Sequence, residues 1–82
     1  MTPDDIEKLI REHLPVATLQ VRSDDNVHFD ALVVSEAFAG KRAVARHQMI
    51  YAALGSHMHA DIHALSIRAL TPDEHTTAGN RV

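Results

Sequence analysis

Residues 16–35 read "VATLQVRSDDNVHFDALVVS", and the way this stretch divides decides the architecture. In its first part Ala17, Leu19 and Val21 alternate with Thr18, Gln20 and Arg22, the period-two pattern of a half-buried strand. "SDDN" is turn chemistry, because short polar side chains bond their own backbone there. "VHFDALVVS" follows as a second strand, and the two form a hairpin.

Upstream, "MTPDDIEKLIREHL" is a helix with a clear start. Thr2 is placed to cap, Pro3 suits the first helical position, and Asp4 and Asp5 favour the positive end of the dipole. Ile6, Leu9, Ile10 and Leu14 recur at helical spacing, and Pro15 ends the element. Downstream, "EAFAGKR" is a connector carrying Gly40. Ala43, His47, Ile50, Leu54 and His57 or Met58 then step by four and three, the face of an amphipathic helix. Gly55 falls too early to be read as its cap. "IHALSIRAL" alternates again, with His63, Leu65 and Ile67 on one face and Ser66 and Arg68 on the other. "TPDEH" starts a short helix with Thr71 as cap and Pro72 in the first turn, and residues 77–82 are expected to form a flexible tail. The order helix, strand, strand, helix, strand, short helix predicts an α+β domain over residues 1–76. Three strands are covered by helices on one face.

Eighty-two residues make one small domain, close to the stability threshold for its size. Of the hydrophobic 45%, twelve residues are alanine and only three aromatic, so Leu, Ile and Val must build the core. The formal charge of −3 is spread along the chain and argues against a global nucleic-acid footprint, which needs a basic face. Seven histidines would, if several were protonated near pH 6, bring the net charge to about zero or above. With no cysteine, the chain cannot form disulfides or supply thiolates to zinc or iron–sulfur centres. No apolar run approaches the roughly 18 residues of a membrane span, and the acidic N-terminus is no signal peptide. A soluble, cytoplasmic protein is expected.

Candidate functional groups are few. Lys41, Arg42 and Arg46 form a basic segment, the two arginines one helical turn apart. It is either a solvated face or a docking patch for an anion or partner. His47, on the apolar face of the same helix, reads as a hydrogen-bonded core residue. In "HMHADIHAL", residues 57–65, the i, i+2 spacing of His57 and His59 puts them on different sides of a helix, and they read as surface residues. His63 differs, because it opens a strand whose next inward residues are Leu65 and Ile67. A rigid imidazole at that rim suits a metal ligand or an acid–base group. No nucleophile–base pair, carboxylate pair, glycine-rich phosphate loop or HExxH motif is present, and no enzymatic activity is expected.

The runs "VVSEAFAGK", "RHQMIYAAL" and "IHALSIRALTP" together resemble the BolA family, nearest its short acid-stress (IbaG-like) branch, over residues 6–74. The resemblance implies a class II KH-like fold. Gly40, Gly55 and Gly79 are the only glycines, so the GXXG backbone clamp of nucleic-acid-binding KH domains is missing. It further implies a partnership with a monothiol glutaredoxin and its glutathione. The pair would share a 2Fe–2S cluster, in iron–sulfur trafficking or in iron and stress regulation. The BolA chain's histidine ligand matches His63. The family's second ligand, a His or Cys, comes from the loop between the first two strands. Here that loop is "SDDNVHF", with Asp25 about where some relatives carry cysteine and His28 as the candidate imidazole. Imidazole in place of thiolate raises the reduction potential of such clusters and suits a labile, transferable one. His75 stands where many relatives have tryptophan. The alternative implied by the family is a DNA-binding transcriptional regulator, with Lys41, Arg42, Arg46 and Arg68 on phosphates. A weak homodimer is left open.

Overall fold

The computed structural model describes residues 1–60, 62 and 64–79, with the backbone alone at 59, 60, 78 and 79. The hairpin forms as its alternation requires. Strand β1 (Thr18–Arg22) pairs antiparallel with β2 (His28–Val34), from Thr18 opposite Val34 to Arg22 opposite Asp30. Leu19 and Val21 are buried while Gln20 and Arg22 are exposed. The connection closes on Ser23, whose hydroxyl donates to the His28 carbonyl (2.6 Å) and accepts the Asn26 N–H (2.9 Å). Asn26 itself takes a left-handed conformation, φ 57°, which a short amide side chain tolerates.

Strand β3 (Ala64–Leu70) lies on the other side of β2 and runs parallel to it, from His28 opposite Ala64 to Val34 opposite Leu70. The sheet order is therefore β1-β2-β3. A parallel neighbour cannot be reached by a tight turn. The chain crosses over through a 3₁₀ turn (Glu36–Phe38), helix α2 (Ala43–Leu54) and a single helical turn, α3 (His57–Ala60). Ser35 anchors the start of that crossover. It is fully buried; its hydroxyl donates to the Pro15 carbonyl and accepts the Ala37 N–H, and its own N–H donates to Leu70.

Helix α1 (Pro3–His13) begins with a reciprocal cap: Thr2 Oγ1 accepts the Asp5 N–H, and the Asp5 carboxylate accepts the Thr2 N–H. Two of the orphan amide groups at the helix start are thereby satisfied. Its Ile6 and Ile10 join Leu19, Val21, Phe29, Ala31, Val33, Phe38, Ile50, Leu54, Ile62 and Ala69 in one core. Each large aliphatic side chain so buried contributes about 1.5–3 kcal/mol. α1 packs on β1 and α2, and α2 packs on β3. The opposite sheet face carries Gln20, Arg22, Asp30, Leu32, Ser66 and Arg68 around a shallow concavity of about 320 Å³.

Two boundaries differ from the sequence expectation. α2 stops at Leu54 because Gly55 does cap it: at φ 58° its N–H returns to the Tyr51 carbonyl. The apolar face thus does not run on to His57 and Met58, which start α3. Helix α4 spans Pro72–Gly79, longer than the short helix read from "TPDEH" and including three residues assigned to the tail. Residues 80–82 lie outside the described residues. Among the described residues, no helix is long and apolar enough to cross a membrane.

Candidate metal-ligating hairpin and basic segment

The β1–β2 connection places one imidazole and one carboxylate together. Asp25 Oδ1 accepts the backbone N–H groups of Val27 and His28, both at 2.9 Å, and Oδ2 lies 3.0 Å from His28 Nδ1. The His28 ring, then the His28 and Val27 amides, hold the Asp25 carboxyl well below the usual carboxylate range. An ionised carboxylate only accepts hydrogen bonds, so Nδ1 carries the proton in this pair. The electron pair of the neutral ring is then on Nε2, the arrangement in which a carboxylate orients a metal-ligating histidine. The ring is exposed, with two thirds (67%) of its side-chain surface open.

Of the two candidate cluster ligands, His28 therefore sits at the first residue of β2, in the strand rather than in the loop. His63 lies outside the described residues. What the register shows is that Ala64, the residue after His63, is directly opposite His28, and that its N–H donates to the Val27 carbonyl (3.3 Å). Among the described residues no group of three or more His, Cys, Asp or Glu side chains could hold a metal ion. A full ligand set around His28 would need donors from His63 or from a second molecule.

The basic residues do not form one patch. Lys41 and Arg42 are exposed at the start of α2. Arg46, expected to stand with them, is turned into the fold. Its Nε donates to the Lys41 carbonyl (2.9 Å), Nη1 to the Ala69 carbonyl (2.9 Å) and to Glu74 Oε1 (2.6 Å). Nη2 reaches Glu74 Oε2 (3.3 Å), and the guanidinium lies 5.9 Å from the centre of the Phe38 ring. Only 12% of the side chain is exposed, and its donors are taken up by one carboxylate and two backbone carbonyls. Arg68 is exposed on the far sheet face, beside Leu32 in the register and away from α2.

The other histidines divide as well. His47 is half-buried and meets Tyr51 edge-on, ring centres 6.5 Å apart. His57 is half-buried rather than a fully exposed surface residue, and the side chain of His59 lies outside the described set. His75 is half-buried, its N–H bonded to Thr71. Sequence reasoning overlooked Asp25 as the partner of His28; the i, i+3 spacing across a turn was the available signal. It also passed over Arg22, which joins Arg68 on the sheet face.

A three-stranded mixed sheet with helices on one face, and a histidine at the hairpin beside the start of β3, define a small α+β domain. The family model described as "BolA-like protein" matches residues 8–74, and the chain belongs to the BolA family. Among its relatives is the chloroplastic protein BOLA1 of Arabidopsis thaliana, 38% identical over 69 residues, 84% of this chain and 43% of that protein. The chain thus spans less than half the length of that relative. The DNA-binding transcriptional regulator BolA of Vibrio cholerae is 35% identical over 83 residues, covering 90% of this chain and 78% of the relative. Among solved structures, a BolA homologue from Coxiella burnetii is 42% identical with a TM-score of 0.78, covering 93% of this chain and 97% of that one.

Proposed function

We propose that this protein is an accessory factor of iron–sulfur trafficking or iron regulation. It forms a heterocomplex with a monothiol glutaredoxin and shares a 2Fe–2S cluster through His63 and His28. The observation that carries the reading is the β2–β3 register, which sets Ala64, the neighbour of His63 in sequence, opposite an imidazole oriented by a carboxylate. With no cysteine in the chain, the thiolates come from the glutaredoxin and its glutathione. The cluster would supply the exchangeable iron and sulfide. This chain's residues supply neutral nitrogen donors, and mixed nitrogen–sulfur ligation raises the cluster's potential. The test is anaerobic reconstitution with such a glutaredoxin, followed by visible absorption and circular dichroism. His63→Ala should change the spectrum of the heterocomplex; an unchanged spectrum rejects the ligand.

A second reading is DNA binding, favoured by the regulator name of the Vibrio relative. Lys41 and Arg42 would then contact phosphates, without Arg46, which is engaged in the fold, and with Arg68 on another face. Binding to promoter fragments should weaken steeply with salt; a flat dependence rejects it.

A further inference from the structure

The Asp25 carboxylate is occupied on both oxygens, and the two sides differ in kind. Oδ1 faces two backbone N–H groups, Val27 and His28, which can only donate. Oδ2 faces the His28 ring nitrogen Nδ1. The turn therefore requires an acceptor at the first position, while the second position sets the protonation pattern of the imidazole. We infer that Asp25 is a positioning residue for His28: its carboxylate holds the ring in the Nδ1–H tautomer, so that the neutral imidazole presents its donor electron pair at Nε2. This deepens the proposed function and rests on His28 acting as a ligand there.

The geometry makes one substitution unusually informative. In Asp25→Asn the amide has one acceptor and one donor end. The backbone N–H groups of Val27 and His28 demand the carbonyl oxygen, because an NH₂ group there would face two donors. The NH₂ then takes the place of Oδ2 and can only donate to Nδ1. Nδ1 must become the lone-pair nitrogen and Nε2 the protonated one. The turn is retained, the ring stays where it is, and the metal-facing nitrogen loses its electron pair.

The first measurement uses the isolated, ¹⁵N-labelled chain at about pH 8, above the ordinary imidazole range. Long-range ¹H–¹⁵N correlations separate a protonated ring nitrogen from one bearing a lone pair. The expected result is Nδ1–H for His28 in the native chain and Nε2–H in Asp25→Asn. A native His28 that is mainly Nε2–H, or a variant with the native pattern, overturns the inference; the native measurement does not depend on the variant folding. The second measurement is reconstitution with the glutaredoxin, where the variant should hold the cluster about 10–100-fold more weakly. An inverted tautomer with unchanged cluster affinity also overturns the inference, since the orientation would then serve no ligand. Absence of a shared cluster in the native mixture instead rejects the glutaredoxin reading, and with it the ligand role on which the positioning rests, while the tautomer result still stands as a property of the turn.

Discussion

Arg46 and Glu74 meet across 28 residues of sequence, with Nη1 2.6 Å from Oε1 and Nη2 3.3 Å from Oε2. This two-pronged pair ties α2 to α4, and the same guanidinium reaches the Ala69 carbonyl at the end of β3. The Glu74 carboxylate also accepts the Thr71 N–H (2.8 Å) while Thr71 Oγ1 accepts the Glu74 N–H (3.2 Å), so the ion pair and the helix cap share one side chain.

Arg46, then the Thr71 amide, lowers the Glu74 carboxyl from 4.5 to about 2. A carboxyl depressed in the folded state contributes stability above its unfolded value, and that contribution is lost as pH falls through 4.5 towards about 2. Glu74→Gln should lower the neutral-pH melting temperature and make the unfolding midpoint less sensitive to pH in that window. Parallel pH curves for the two proteins would contradict the linkage. Because nearly half of the Glu74 side chain is exposed, added salt should shrink the difference.

Asp25→Ala should open the hairpin connection locally. The amides of Val27 and His28 lose their acceptor, so their hydrogen exchange should accelerate, while the amides of Ile6 and Ile10 in the middle of α1 should not change. Uniform acceleration through the molecule would mean that the turn is coupled to global unfolding instead.

Ile50 is fully buried between α2 and the sheet. Ile50→Ala should cost about 2–5 kcal/mol by lost transfer energy and a residual cavity, a large share of the stability of an 82-residue domain. Denaturant unfolding should show a lower midpoint with an unchanged slope.

Gly55 tests backbone conformation alone. A Cβ built there meets nothing within 4 Å, yet its φ is +58°. Gly55→Ala should therefore cost about 1–3 kcal/mol without any steric clash. A neutral effect would show that the α2–α3 junction relaxes to another conformation.

The split of the basic residues gives a binding test. Lys41→Ala with Arg42→Ala should weaken glutaredoxin or DNA association several-fold at low salt, and less at high salt, as solvated charges do. Arg68→Ala, on the opposite sheet face, should leave association unchanged if the start of α2 is the docking edge. Equal effects of both changes would place the contact elsewhere.

Much of this architecture was legible in the chain, for local reasons. The Thr2 cap with Pro3 and Asp5 dictated where α1 starts, because those side chains satisfy amide groups within one turn of themselves. The alternation around Leu19 and Val21 and around Leu65 and Ile67 dictated which face of the sheet is inward. Gly55 was undervalued because spacing alone cannot show that a glycine adopts a positive φ.

Tertiary structure decided the remainder. Composition makes Arg46 look like a member of a surface patch with Arg42, and only the approach of Ala69 and Glu74 turns it into a brace. The parallel register that brings Ala64 opposite His28 depends on a crossover of some thirty residues, which no local pattern specifies. The sequence by itself determined the three strands with their inward faces, the start of α1 and the absence of thiolate, since each follows from side-chain chemistry and short-range periodicity. The end of α2 at Gly55 and the separate turn α3 were not legible there. Which charges face solvent, and which residue of β3 stands opposite His28, was decided by packing, because those facts depend on groups that meet only when the chain has folded.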